Sequence, residues 1–235
     1  MRNQWLKPAL LLAMSLNLPT AFAADEHQHA GDIQPWLENG QIKLNATLFE
    51  ADFGDLAGGL YSTDDPGFDA DTDHGSFGEG NWLWFQGFSS LKFWTGSTWS
   101  NALANGEHIE IEDALGNTTT FTGTGVDNAA GVIGQFDSAG DIHEHLDFTI
   151  YNSSNVKGGS VGAYWITLSL FESAANSTTP LASSEAFSII FNRGLSHEAY
   201  ESAVSAVPIP AAFWMFGSAF FGWLSVIRGR KILNA

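Results

Sequence analysis

The central part of the sequence predicts an all-β fold, a single β-sandwich with a jelly-roll as one form of it. Short runs rich in Thr, Ile, Phe, Trp and Tyr recur along it, bounded by clusters of Gly, Asn, Asp and Ser. No long stretch of this part shows sustained helical periodicity, and no repeat recurs at a fixed period. These observations favour many short strands joined by Gly-rich turns.

Eight runs have strand character, and one short segment, Glu198–Ala206, has helical character. The tripeptide Leu115-Gly116-Asn117 predicts a hairpin between two of the strands. The predicted strands are Gln41–Phe49, Asn81–Phe85, Leu91–Trp94, Glu107–Asp113, Thr118–Thr122, Ile142–Tyr151, Gly162–Phe171 and Ala186–Phe191.

The N-terminus has the three parts of a secretory signal peptide. Residues 1–7 carry two positive charges, residues 9–18 are apolar, and Ala21-Phe22-Ala23 is an Ala-x-Ala cleavage site. We expect a signal peptide over residues 1–23 and an exported β-sandwich domain over residues 24–206.

The C-terminus has a short proline motif, an apolar run and a basic end. Val207, Pro208 and Pro210 form the proline motif, and the stretch from Ile209 to Ile227 has 19 residues without a charge. As a helix, that stretch would span roughly 28 Å, which is close to the hydrocarbon thickness of a bilayer. The basic residues from Arg228 to Lys231 predict a cytoplasmic C-terminus and an exported domain outside the cytoplasm.

This tail, residues 207–231, resembles the PEP-CTERM sorting signal of Gram-negative bacteria in its Val-Pro-x-Pro-Ala variant. The resemblance implies that a membrane protease of the exosortase type processes the protein. It also implies an intermediate in the inner membrane, then transfer to the cell surface or the extracellular matrix. The alternative is a plain single-span membrane anchor.

The composition excludes some partners. The chain has 26 Asp and Glu against nine Lys and Arg, and its formal net charge is −17. Phosphate binding needs Lys and Arg, so nucleic acids and anionic lipids are disfavoured and cations are favoured. The absence of cysteine excludes disulfides, a thiolate nucleophile and a Cys-based zinc site. Simple solubility is the alternative explanation of the charge.

Two His-x-His pairs are the main candidates for metal binding. His143 and His145 alternate with Ile142, Leu146 and Phe148, so a strand would place them with Asp147 on one polar face. Two imidazoles and a carboxylate suit Zn²⁺. The second pair, His27 and His29, follows the cleavage site, and we expect it to supply auxiliary zinc ligands. A polar strand face without metal is the alternative.

Three weaker candidates accompany these pairs. His108 shares a strand face with Glu110 and Glu112 and would add a ligand if its strand neighboured the His-x-His strand. His74 and Asp73 lie in the acidic run Asp69–Gly75, which resembles a calcium loop but departs from the EF-hand spacing. We favour a solvated acidic turn there, with a calcium site as the alternative.

The sequence favours a binding protein over an enzyme. Gly158-Gly159-Ser160-Val161-Gly162 matches the residue pattern Gly-x-Ser-x-Gly of the nucleophile elbow. The elbow needs a strand before the serine and a helix after it, whereas Ser160 follows a polar loop and precedes a run with strand character. We therefore predict no catalytic residues.

Seven short stretches between the two termini carry a second resemblance. They are His27–His29, Asp32-Ile33, Glu38–Gly40, Tyr61–Phe68, Glu112–Asn117, His143–Phe148 and Phe191–Ser196. They resemble a family of PEP-CTERM surface proteins whose genes are repressed by the zinc-uptake regulator. The resemblance implies zinc binding or storage outside the cytoplasm, with the two His-x-His pairs as ligands.

The sequence thus predicts an exported surface protein that stores or scavenges zinc. The alternative is a structural or carbohydrate-binding module of the exopolysaccharide matrix, in which exposed tryptophan rings would stack on sugars. Core filling is the more common use of tryptophan.

Overall fold

The computed structural model describes residues 31–54 and 59–208, so the signal segment, His27, His29 and the tail from Ile209 lie outside it. The described part confirms the all-β class. Its strands, in chain order, are β1 (Pro35–Glu38), β2 (Gln41–Leu44), β3 (Leu48–Asp52), β4 (Ser62–Thr63), β5 (Phe68–Asp69), β6 (Trp82–Trp94), β7 (Trp99–Ser100), β8 (His108–Glu112), β9 (Thr118–Thr122), β10 (Gly125–Asp127), β11 (Ala130–Gln135), β12 (His143–Glu144), β13 (Asp147–Tyr151), β14 (Gly162–Ser173), β15 (Pro180–Ser183) and β16 (Phe187–Arg193).

The strands form two main sheets and two small ribbons. The larger sheet has seven strands, in the order β11-β6-β14-β16-β3, with β7 paired to β6 and β15 paired to β14. The five-stranded sheet has the order β10-β9-β8-β13-β4. Strands β1 and β2 form one ribbon, and β5 and β12 form the other. The β3–β16 pair is parallel, whereas β13 is antiparallel to both of its neighbours.

Both main sheets contribute to one hydrophobic core. Ile109 and Phe148 of the five-stranded sheet and Tyr164 and Phe191 of the seven-stranded sheet belong to the same buried cluster. The Phe148 and Phe191 ring centroids lie 5.2 Å apart, which joins the two sheets directly. Burying one side chain of this kind contributes roughly 1.5–3 kcal/mol, so this cluster fixes how the sheets meet.

A single helix, α1 (His197–Ser205), covers part of the other face of the seven-stranded sheet. Tyr200 and Ala203 are its buried residues, and they pack with Trp165 and Ile190 of the sheet. The Tyr200 hydroxyl donates a hydrogen bond of 2.7 Å to the Ile190 carbonyl. Within the two described ranges, no helix has the length and apolar character needed to cross a membrane.

Local sequence patterns located most of the long strands. The predicted hairpin is confirmed, since Glu112 pairs with Thr118 and Gly116 takes a positive φ of 77°. The predicted helix begins one residue earlier than expected and ends one residue earlier. The predicted runs 81–85 and 91–94 form one strand, β6. Its pairing with β14 shifts register between Phe88 and Lys92, where Ser89 takes a φ of 57°.

The predicted strand Ile142–Tyr151 is wrong as a single element. It divides into β12, which pairs with β5, and β13, which pairs with β8 and β4. Residues 145–146 belong to neither strand. The two halves therefore lie in different sheets, so the side-chain alternation predicted for the whole run does not continue from His145 to Asp147.

Candidate metal centre

Three chain segments meet at His143 and His145. Strand β12 pairs with β5, with His143 opposite Asp69. Ile33 forms a parallel bridge to Phe68 on the other side of β5, which brings Asp32 to the same place. Phe68 and Ile33 are fully buried, so hydrophobic packing holds these short segments together beneath an exposed polar surface.

The two imidazoles face each other through the same type of nitrogen. The Nε2 atoms of His143 and His145 lie 3.3 Å apart. The His143 side chain is 60% exposed and that of His145 is 33% exposed, so both remain accessible to an ion from solvent. The sequence predicted that these two residues would share a site, and the structure places them together.

Asp32 completes a set of three. One ligand atom from each of Asp32, His143 and His145 lies within 4.8 Å of the others. Among residues 31–54 and 59–208, this is the one group of three His, Asp or Glu side chains that meets so closely. Asp32 is held in place because its Oδ1 atom accepts a 3.0 Å hydrogen bond from the Gly67 amide.

The outer nitrogens of both imidazoles face oxygen atoms. The Nδ1 atom of His145 lies 2.9 Å from the Asp64 carbonyl oxygen and 3.8 Å from Asp65 Oδ1. The Nδ1 atom of His143 lies 3.5 Å from Asp69 Oδ1. Oxygen partners at the far nitrogen are the usual surroundings of a metal-binding histidine, because they fix the tautomer and the orientation of the ring.

Asp147, the predicted third ligand, lies in the five-stranded sheet. It stands directly opposite Glu112 in the pairing of β13 with β8. It is exposed, but it is not part of the group of three formed with His143 and His145. The chain leaves strand geometry between Glu144 and Asp147, and this break separates the carboxylate from the imidazoles.

His108 lies at the far end of the five-stranded sheet from His145. Its strand pairs with β13, where His108 is opposite Tyr151 and stacks on that ring with a centroid distance of 5.3 Å. Its Nε2 atom lies 3.6 Å from Glu110 Oε1. The strand does neighbour the continuation of the His-x-His segment, but its register places His108 away from the imidazole pair.

The acidic run Asp69–Gly75 is divided between two surroundings. Asp69 faces His143, whereas the Asp71 carboxylate lies 2.6 Å from the Nδ1 atom of His74. The His74 ring also lies 5.5 Å from the Trp36 ring, and Asp73 is exposed. The structure does not bring His74 or Asp73 into the group with His143.

The remaining predicted site residues have different outcomes. Val207 and Pro208 follow α1 and its C-terminal cap Ala206, whereas His27, His29 and Pro210 lie outside the described residues. Ser160 precedes strand β14, so the segment after it is not the helix that a nucleophile elbow requires.

Sequence reasoning missed Asp32. In the sequence, Asp32 stands out only as part of a family resemblance, because one isolated aspartate far along the chain from His143 carries no local signal of its role.

Searches with this chain found no matching family model, no similar curated protein and no similar solved structure.

Proposed function

We propose that this protein is an exported surface protein that binds Zn²⁺ through Asp32, His143 and His145, as a store or scavenger of zinc rather than as an enzyme. The observation that carries the proposal is the 3.3 Å separation of the two Nε2 atoms. The acidic character of the chain and the oxygen partners of both Nδ1 atoms support it.

The tautomers explain why a cation suits this position. A carbonyl oxygen only accepts hydrogen bonds, so the His145 Nδ1 atom must carry the proton in its contact with Asp64. The carboxylate of Asp69 favours a proton on His143 Nδ1 in the same way. Each neutral ring then has a lone pair on Nε2, and two lone pairs at 3.3 Å repel unless a proton or a metal ion lies between them.

The separation also matches zinc coordination. Zn–N bonds of about 2.0–2.1 Å at a tetrahedral angle put two nitrogen ligands about 3.3–3.4 Å apart. The observed 3.3 Å lies in this range. The carboxylate of Asp32 supplies a third ligand of a type that zinc accepts, and a fourth position remains for water or another side chain.

His27 and His29 are proposed as auxiliary ligands for that fourth position. His29 precedes Asp32 by three residues, and an extended chain of that length reaches at most roughly 10 Å. Calcium binding at the acidic run Asp69–Gly75 is the alternative role proposed for Asp73 and its neighbours.

The export route is part of the same proposal. It comprises a signal peptide, an exported β-sandwich with a jelly-roll as its more specific form, and a PEP-CTERM-like tail that an exosortase-type protease processes. Histidine ligands suit an exported chain without cysteine, because a thiolate site would be exposed to oxidation outside the cytoplasm.

Metal analysis of the full chain tests the zinc site. The chain is purified without a His tag in detergent, its metal content is measured, and zinc is titrated calorimetrically at about pH 7.5 and about pH 5.5. We expect bound zinc at the higher pH and weaker binding at the lower, because protons compete with the metal for imidazole nitrogen.

Two double variants identify the ligands. His143→Ala with His145→Ala should remove the tightest zinc-binding step, whereas His74→Ala with His197→Ala removes two imidazoles elsewhere and should leave it. The first pair should remain folded, because both side chains are exposed. Unchanged zinc affinity in a folded first variant would place the site elsewhere, and unfolding would mean that these histidines are structural.

A further inference from the structure

A polar cleft lies at the end of strand β13 that is far from the His143–His145 pair. Its volume is about 450 Å³, and Tyr61, Asn105, Asn152 and Lys157 contribute to its walls. The lining consists mainly of amide, hydroxyl and charged groups, with Tyr61 as its one aromatic ring. A ligand for this cleft must therefore be polar, and the volume exceeds that of a single ion.

A buried carboxylate forms the base of the cleft. Glu107 is 1% exposed, and it accepts hydrogen bonds from the Asn105 amide at 2.8 Å and the Ser160 amide at 3.1 Å. The Ser160 hydroxyl also donates to it. Burial pulls the pKa of Glu107 upward, but these hydrogen bonds outweigh burial and the pKa lies below its ordinary value. The carboxylate is thus ionised and already satisfied, so it shapes the cleft and gives it a negative base.

The walls retain unused hydrogen-bonding groups. The side-chain NH₂ group of Asn105 donates to Ser160 Oγ at 2.7 Å, which orients the side-chain oxygen of Asn105 as a free acceptor. The side-chain Oδ1 atom of Asn152 accepts from the backbone amides of Ser154 and Val156, which leaves the side-chain NH₂ group as a free donor. Among the described residues, the buried side-chain atoms that lack a hydrogen-bond partner do not include the Asn105 oxygen or the Asn152 NH₂ group. Both groups are therefore open to solvent.

A guanidinium group holds the aromatic wall in place. The Arg193 guanidinium lies 4.6 Å from the Tyr61 ring centroid, a cation–π contact that holds the ring. Lys157 adds an ammonium donor, whose Nζ atom lies 3.3 Å from Ser62 Oγ. The cleft therefore combines a fixed aromatic ring with separate donors and acceptors.

This combination excludes several ligand classes. The single ammonium group of Lys157 would attract an anion, but the ionised Glu107 and the net charge of −17 oppose it. Apolar ligands would leave the free amide groups of Asn105 and Asn152 without partners. A metal ion would find the Glu107 oxygens already occupied by N–H and O–H donors.

We infer that the cleft at Tyr61, Asn105 and Asn152 binds a neutral saccharide of about two sugar units. Hydroxyl groups both donate and accept, as the two asparagines require, and an aromatic ring packs against the apolar face of a sugar. This site is independent of the zinc proposal, since it shares no residue with Asp32, His143 and His145.

Ligand-detected NMR tests the inference on the full chain, purified in a detergent without a sugar headgroup. The probes are maltose, cellobiose and N,N′-diacetylchitobiose, with digalacturonate as the anionic comparison. We expect saturation transfer to at least one neutral disaccharide, with a Kd on the order of millimolar, and weaker transfer to digalacturonate.

Paired variants then locate the binding. Asn152→Asp keeps the oxygen that accepts from Ser154 and Val156 but replaces the free NH₂ donor with a negative charge. Loss of one hydrogen bond should weaken binding by about tenfold. Asn155→Asp makes the same change in the same turn outside the cleft and should bind as the wild type does.

If Asn152→Asp unfolds, Lys157→Met at an exposed position takes its place and should also weaken binding. The inference is overturned if no neutral disaccharide shows transfer. It is equally overturned if the two asparagine variants bind alike, which would place the sugar on another surface such as the Trp82–Trp84 side chains.

Discussion

Gly67 lies against the imidazole of His145. A Cβ atom built on Gly67 would stand 2.6 Å from His145 Cε1 and 2.7 Å from its Nε2. It would also stand 2.9 Å from Asp32 Oδ1. The absence of a side chain at this position is therefore what allows the imidazole and the carboxylate to approach each other.

Gly67→Ala should weaken zinc binding by at least tenfold while the protein stays folded. The added methyl group occupies the space between two of the proposed ligands, and the groups it meets are the ends of side chains, which can move aside. Gly31→Ala is the matched control, because its Cβ would meet nothing within 4 Å. Calorimetric zinc titration of both variants measures the effect. Equal zinc affinities would argue against a site formed by Asp32, His143 and His145.

Substitutions of two aspartates distinguish the site found in the structure, which contains Asp32, from the site that strand alternation predicted, which contains Asp147. Asp32→Asn keeps an oxygen that accepts from the Gly67 amide but removes the ligand charge, so zinc affinity should fall by on the order of tenfold or more. Asp147→Asn should leave the affinity nearly unchanged. If Asp147→Asn weakened zinc binding more than Asp32→Asn did, the titrations would support the predicted site of His143, His145 and Asp147 instead.

Asp147→Asn should also stabilise the folded protein. Asp147 and Glu112 stand directly opposite each other on neighbouring strands, and like charges in that position are destabilising. Neutralising one of them should raise the free energy of unfolding by a few tenths of a kcal/mol at low salt, up to about 1 kcal/mol. Chemical denaturation at low and high salt measures this, and a gain that does not shrink with salt would point to another cause.

Glu107→Gln should destabilise the protein in a pH-dependent way. The pKa of Glu107 is lowered from its ordinary 4.5, so its contribution to stability is present above the unfolded-state pKa and is lost as pH falls through the folded-state value. Gln turns an NH₂ group toward donors, so above about pH 5.5 we expect a loss of about 1–3 kcal/mol. The difference from wild type should shrink in more acidic solution.

Denaturant unfolding across that pH range tests this expectation. Glu185→Gln makes the same change at an exposed position and should alter stability by less than about 0.5 kcal/mol. A Glu107→Gln deficit that persists unchanged in acid would show that the carboxylate is not ionised in the folded protein.

Processing in the native host should remove both ends of the chain. The Ala-x-Ala site and the Val-Pro-x-Pro tail lead us to expect a surface species without residues 1–23 and without the apolar run 213–227. Intact-mass measurement of surface-extracted protein checks both ends. A species that still carries Arg228 and Lys231 would support the plain membrane anchor instead.

The sequence alone determined the all-β class, the turn at Gly116 and the pairing of His143 with His145. These features depend on neighbours within a few residues, where side-chain alternation and turn chemistry act directly. Tertiary structure decided the rest of the site. Asp32 reaches the imidazoles because Ile33 bridges to Phe68 across a two-residue strand, and Asp147 is lost to them because β12 and β13 pair with different partners. Such pairings depend on contacts between distant segments of the chain, which alternation along one segment does not encode.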